Sequence, residues 1–290
     1  MSEPFSVVLA GGGVRTFWGM GVLRAIADLL PPIDHYAGVS AGAAMSAVLV
    51  SDRVDASLEY FLTAIRANPR NFYPGRLLRG DRAFPHEAML RRTMDFVLDE
   101  GGFERVKSGP PIHILLSFIP AGRPTLRTGL AAFRAFDRRA RSGRLHGPSR
   151  PAAGLGVQVV SSHDAADPQQ LIDWVVMSSS TPPVTRILQR EGRRYVDGAL
   201  VDNIPIRALP SRARAGKVLV LLASPKKVAR RPLRTVEGGS LLYLAPADDP
   251  PTTMWDYTSA QRVLDTWELG QREGRVLRKR VMALLESPAP

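Results

Sequence analysis

The chain has no cysteine. That excludes disulfides, cysteine nucleophiles and thiolate zinc sites, and leaves the compartment open. Histidine is scarce, with five residues at 35, 86, 113, 146 and 163, and none has an obvious place in a catalytic triad. Lysine is as scarce, at 107, 217, 226, 227 and 279, so 34 of the 39 basic residues are arginine. No stretch reaches the ~18 apolar residues of a membrane span. The opening MSEPFSVVLAGGG has no basic start, no long apolar run and no cleavage site before its first strand-like segment. The expectation is a cytoplasmic protein that touches a membrane at most. The G-K-[ST] of a P-loop is absent, and Thr16 stands where a dinucleotide fingerprint needs glycine, so nucleotide binding fits poorly.

What is present is ordinary globular composition, 44% hydrophobic and 23% charged over 290 residues. That length allows one large core or two small ones. The net charge of +12 suits phosphate, in nucleic acid or on a membrane surface. It also suits a chain that is simply rich in arginine and alanine. The arginines are spread along the chain rather than gathered in a recognition motif, so nucleic acid is not an expected partner.

Residues 5–10 form a short β-branched run ending in three glycines, which reads as a buried strand and a tight loop. Residues 19–30 have helical spacing and stop at Pro31-Pro32. Residues 35–39 read as a strand and 41–50 as a buried helix. This alternation implies an α/β fold with a largely parallel sheet. Helices are expected over 55–66, 85–98 and 254–286, and at 172–177 as the end of one. Further strands are expected at 112–118, 155–161, 194–196, 218–223 and 241–244. No repeat or composition break demands a second domain, so 1–290 reads as one.

Residues 126–145, LRTGLAAFRAFDRRARSGRL, place Leu126, Leu130, Phe133 and Ala140 near one helical face, with Phe136 beside it. Arg127, Arg134, Arg138, Arg141 and Arg144 crowd the rest. A helix of this kind packs its apolar face on the core, with its arginines in water. Alternatively it lies on an anionic membrane.

Three short motifs carry chemistry. Gly38-Val39-Ser40-Ala41-Gly42 is G-x-S-x-G between a strand and a helix, the context a nucleophile turn requires. Gly38 and Gly42 suit a turn too tight for Cβ atoms, and the helix from Ala41 aims its first amides at a developing negative charge. A serine, acid, histidine triad would have to end at His163, which sits in a loop-like stretch. The second motif is YVDGALVDNIP, 195–205. Asp197 at a strand end, with Gly198 permitting close approach, is either a weak base for Ser40 or simply a turn. The third is GGGVR, 11–15. Its amides suit an oxyanion hole, and Arg15 suits fixing that loop or meeting a phosphate. The plain alternative is a glycine turn.

In this order, GGGVR, GVSAG, SSSTPP at 178–183, DGA and Asn203-Ile204-Pro205 resemble the patatin-like phospholipase family. The resemblance spans about 5–206. It implies a three-layer α/β/α fold with a mostly parallel central sheet, and a Ser-Asp dyad without histidine or metal. Ser40 then matches the nucleophile and Asp197 the base. Gly11, Gly12 and Gly13 match the oxyanion loop, with Arg15 the arginine after it. Members hydrolyse acyl esters of lipids without a cofactor, so a lipid or phospholipid is the implied substrate. Peripheral membrane contact would run through 126–145. Thr16 departs from the small residue usual there, and DGA from the commoner DGG. The segment 65–150 carries no motif of the family and is expected to shape substrate choice. The rival functions are a non-catalytic, basic, membrane-associated protein and a general esterase with a Ser-Asp-His triad.

Overall fold

The computed structural model describes residues 3–147 and 154–288. The last three residues of the 65–150 segment therefore lie outside the description. The strands are β1 (Phe5–Leu9), β2 (His35–Gly38), β3 (Ile112–Ile119), β4 (Gly156–Ser161), β5 (Gln189–Arg190), β6 (Arg193–Val196), β7 (Lys217–Leu221), β8 (Leu233–Arg234) and β9 (Ser240–Leu244). The helices are α1 (Phe17–Ile26), α2 (Ala41–Val50), α3 (Val54–Arg66), α4 (His86–Leu98), α5 (Gly102–Ser108), α6 (Thr125–Arg141), α7 (Pro168–Ser178), α8 (Ser211–Arg214) and α9 (Ala260–Leu285). All the strands join one sheet. Its centre, β3-β2-β1-β7-β9, is parallel, and β4, β6 and β8 add antiparallel pairs.

The central strands are apolar on both faces, as strands covered by helices on both sides must be. In β1, Phe5, Val7 and Leu9 face the larger core, while Val8 faces a second one. In β7, Leu219 and Leu221 join the first and Val218 and Val220 the second. The period of two decides which residue meets which layer. The first layer holds α1, α2, α3, α4, α7 and α9. The second is thinner, with α8 and the 204–209 stretch over β1 and β7, and α6 near β3. The result is the expected α/β/α sandwich.

Strand β3 sets the site. Its residue His113 pairs with Ala37 of β2 and Ser161 of β4, and Ser117 pairs with Val196 of β6 and Val157 of β4. A strand has two edges, and β4 fills one. Strands β2 and β6 therefore share the other, end to end and running in opposite directions. Their C-terminal ends, Gly38 opposite Ile114 and Val196 opposite Ser117, meet across Leu115 and Leu116.

Two expectations about helices change. The C-terminal helix begins at Ala260, not 254, because Ser259 caps it by accepting from the Arg262 amide at 3.3 Å. Residues 254–259 are instead a loop that reaches the site. The apolar stripe of α6 is not packed inward: Leu126, Leu130 and Phe133 are 84%, 46% and 55% exposed, and the buried residues are Thr128 and Ala132. The helix is turned so that its small residues meet the fold. Helix α5 and the short strands β5 and β8 have too little periodicity to be read from sequence.

Candidate active site

Ser40 sits at the tip of the turn between β2 and α2, with φ 54° and ψ −131°. Such a conformation costs a non-glycine residue about 1–3 kcal/mol and persists only where the surroundings hold it. Here the Ser40 amide donates to Ser178 Oγ at 2.8 Å, and that hydroxyl donates to Leu115 O of β3 at 2.8 Å. The Gly42 amide closes on Val39 O at 2.9 Å. A Cβ at Gly42 would lie 2.2 Å from Leu9 O, so only glycine lets α2 start this close to β1. Gly38, at the end of β2, is pressed in the same way against the Ala43 backbone.

Asp197 follows β6 and arrives from the opposite direction. Ser40 Oγ donates to Asp197 Oδ2 at 2.9 Å across 157 positions of sequence. The same Oδ2 accepts from Thr181 Oγ1 at 3.2 Å, and Oδ1 accepts from the Ala199 amide at 2.8 Å. The Asp197 backbone is held by its own amide on Ser180 O at 2.7 Å and by Ser117 Oγ, 3.0 Å from its carbonyl. Gly198 tucks beneath, where a Cβ would meet Leu115 O. Asp197 is 9% exposed. Burial pushes its carboxyl up to about 6, against the Ala199 amide and the Ser40 and Thr181 hydroxyls, which favour the ionised form.

The glycine loop lies beside this pair, but its three glycines differ. The Gly11 amide is committed to Asn203 O at 3.2 Å, and Asn203 Nδ2 donates back to Gly11 O at 3.1 Å. Gly11 therefore anchors the loop and offers no free donor. Gly12 and Gly13 line the cleft with Ser40, and their amides have no protein acceptor among the described residues. Gly13 has φ +56°, and a Cβ there would lie 2.1 Å from Met254 O. Arg15 points away from the cleft, its Nε 3.4 Å from Thr252 O and its guanidinium 3.6 Å from Asp249. These contacts tie the turn after the glycine loop to the 249–252 segment.

His163 is not brought to Ser40. It follows β4 at the opposite end of the sheet, with its ring 2.9 Å from Gly109 O. His86 does border the cleft, but its Nε2 bonds Trp255 O at 3.1 Å rather than either member of the pair. A backbone carbonyl can only accept, so Nε2 carries the proton. Among the described residues no cluster of three or more histidine, aspartate or glutamate side chains is placed to hold a metal ion.

The cleft has a volume of about 280 Å³, with Ser40 and Asp197 at its head. Its walls are largely apolar: Leu90, Phe133, Phe136, Met254, Trp255 and Tyr257. Leu90, Phe133 and Phe136 lie in the 65–150 segment, whereas sequence reading missed the part of Met254, Trp255 and Tyr257 in the wall and the parts of Ser178 and Thr181. The small-residue stretch 178–183 was the available signal, but nothing local says which hydroxyl meets Ser40 and which meets Asp197. This arrangement can deprotonate a hydroxyl, present it to an ester carbonyl and receive an oxyanion on backbone amides, beside apolar surface.

Among solved structures the fold is similar to VipD from Legionella pneumophila, with a TM-score of 0.50 at 10% identity over 96% of this chain and 67% of that one. It is also similar to human GIVD cytosolic phospholipase A2, with a TM-score of 0.47 at 11% identity, covering 98% of this chain and 63% of that one. No curated protein sequence matches it significantly. The profile of the patatin-like phospholipases matches residues 7–210, a span that contains the glycine loop, the Ser40 turn and Asp197. This chain is a member of the patatin-like phospholipase family, and its general activity is that of a lipid hydrolase.

Proposed function

We propose that the protein cleaves carboxylic esters of lipids, phospholipids among them, through an acyl-enzyme on Ser40 with Asp197 as the base. The observation that carries this reading is the 2.9 Å contact between Ser40 Oγ and Asp197 Oδ2 at the head of an apolar cleft. The two groups are within reach for proton transfer, and the carboxyl titrates near working pH. Asp197 Oδ2 takes the Ser40 proton as Oγ bonds to the carbonyl carbon. The Gly12 and Gly13 amides, with the Ala41 amide opening α2, receive the charge on the carbonyl oxygen. As the tetrahedral state collapses, the bond to the alcohol breaks and Asp197 returns the proton to that alcohol. Water then repeats the sequence on the acyl-enzyme and frees the acid and Ser40.

Membrane contact belongs to the same reading. Leu126, Leu130 and Phe133 project from α6 among exposed Arg127, Arg134 and Arg138, and Phe133 also borders the cleft. An anionic bilayer would receive the apolar row while its phosphates meet the arginines, and the cleft mouth would open onto its substrate.

A fluorophosphonate should label Ser40 in wild type and not in Ser40→Ala. Asp197→Asn should lower ester turnover by at least about 10³-fold, in the range of losses for a general base. Labelling at another residue, or near-normal turnover in Asp197→Asn, would overturn the reading.

A further inference from the structure

Behind the cleft lies a second chamber of about 50 Å³, bounded by α1, α2, α3, α4 and α9. Gly13, Ala41, Leu90 and Tyr257 border both spaces, so the chamber adjoins the cleft next to the residue that follows the nucleophile. Its lining is nearly all apolar, including Phe17, Met20, Val48, Phe61, Met94 and Trp267. Besides the Tyr257 hydroxyl, two residues break that pattern, Ser57 of α3 and Thr93 of α4, which sit on helices that pack against each other. Both hydroxyl oxygens are shut from solvent, and neither has a hydrogen-bond partner among the described residues.

A helical hydroxyl can satisfy itself on the carbonyl one turn back, and others in the chain do so. Ser46 donates to Gly42 O at 2.9 Å and Thr266 to Arg262 O at 2.7 Å. Ser57 and Thr93 do neither. A buried hydroxyl without a partner is unfavourable, and two of them lining one apolar space beside a nucleophile call for a ligand group.

We propose that the chamber is the distal part of the acyl subsite, and that Ser57 and Thr93 recognise a hydroxyl group carried along the acyl chain of the substrate. The proposal rests on the acyl-hydrolase reading above. A chain hydroxyl is both donor and acceptor, and so are the two protein hydroxyls, so one substituent pairs with both. An unsubstituted chain would leave both unpaired in an apolar space, which is how a polar site rejects a substrate lacking its group. A volume of 50 Å³ holds roughly four water-sized groups, enough for a few methylenes and one oxygen. Ala41, Ala44, Met45 and Val48 line the chamber along α2, a rise of about 10 Å, so the oxygen is read several carbons beyond the ester.

The test compares p-nitrophenyl dodecanoate with a series of the same ester bearing one hydroxyl at successive chain positions. The readout is the kcat/KM ratio of each hydroxylated ester to the plain one. At least one position should be preferred by about 10-fold or more, a typical worth of a buried hydrogen-bond pair. That ratio should fall toward one in the Ser57→Ala/Thr93→Val double variant and persist in Thr93→Ser, which keeps the hydroxyl. A ratio near one at every position, or a preference unchanged in the double variant, overturns the proposal and assigns the two hydroxyls to buried water. If Ser40→Ala hydrolyses the series as fast as wild type, the acyl-hydrolase reading itself fails and takes this proposal with it. Hydrolysis that depends on Ser40 but shows no hydroxyl preference defeats this proposal alone.

Discussion

Asp197 must be ionised to accept the Ser40 proton, so kcat/KM should fall about tenfold per pH unit below about 6. An ordinary aspartate would place that limb near ~3.9. Burial is the largest cause of the rise, and three donors oppose it: the Ala199 amide, Ser40 Oγ and Thr181 Oγ1. Thr181→Val removes one donor at almost constant volume. A hydrogen bond to a charged acceptor contributes about 1.5–3 kcal/mol, but 3.2 Å is long for a hydroxyl donor, so about 1 kcal/mol is the better figure. At ~1.36 kcal/mol per pKa unit, the acid limb should move up by about half to one unit. Activity at pH 5 should then drop several-fold more than at pH 8, and Thr181→Ser should restore the profile. The assay is kcat/KM for a soluble ester across pH 4–9. A wild-type limb near ~4, or a limb unmoved by Thr181→Val, would refute the electrostatic account of Asp197.

The same shift has a stability consequence of the opposite sign. The folded carboxyl titrates above its unfolded value, so its stabilising contribution is complete below the unfolded pKa and is lost as pH rises through about 6. A rise of about two units corresponds to on the order of 3 kcal/mol by pH 8. Asp197→Asn should therefore melt several degrees higher than wild type at pH 8, with a smaller gain at pH 5. No dependence of that gain on pH would count against a desolvated Asp197.

Ser40→Gly should be more stable than Ser40→Ala by about 1 kcal/mol in denaturant unfolding, because glycine tolerates the positive φ that alanine keeps strained. Glu87 is 2% exposed, accepts from the Arg186 amide at 2.8 Å and Nε at 3.1 Å, and lies 3.6 Å from Arg91. Glu87→Leu should destabilise by about 2–4 kcal/mol, and it should also lower turnover, since the 181–186 loop it anchors carries Thr181. Reversing Arg127, Arg134 and Arg138 to glutamate should weaken binding to anionic vesicles by at least about 100-fold, at ~1 kcal/mol per arginine near the surface. Turnover of a soluble ester should change far less, and unchanged vesicle affinity would remove α6 from the interface.

Much of the site was legible because its parts are local. A β-branched run into Gly11-Gly12-Gly13, a strand into Gly38-Val39-Ser40, and a strand into Asp197-Gly198 are each written within a few residues, where turn chemistry acts. The β1-α1-β2-α2 alternation was readable for the same reason. Less legible was anything set by orientation. The stripe of Leu126, Leu130 and Phe133 has helical spacing, and that spacing is the same whether the stripe faces the core or water. Ser178, Thr181 and Asn203 each lie in a motif, yet their partners are 138, 16 and 192 positions away.

The order of residues by itself determined the alternating α/β architecture, the sharp turn at Ser40 and the scarcity of histidine, since these depend on period, glycine placement and composition, while the placement of His163 away from Ser40 came from the fold. Only the tertiary structure decided that Ser40 and Asp197 meet. Strands β2 and β6 share one edge of β3, and the register that stops them on either side of Leu115 and Leu116 comes from which faces the helices bury. The same packing desolvates Asp197 and raises its carboxyl toward working pH, a property of the assembled site that no short stretch of sequence contains.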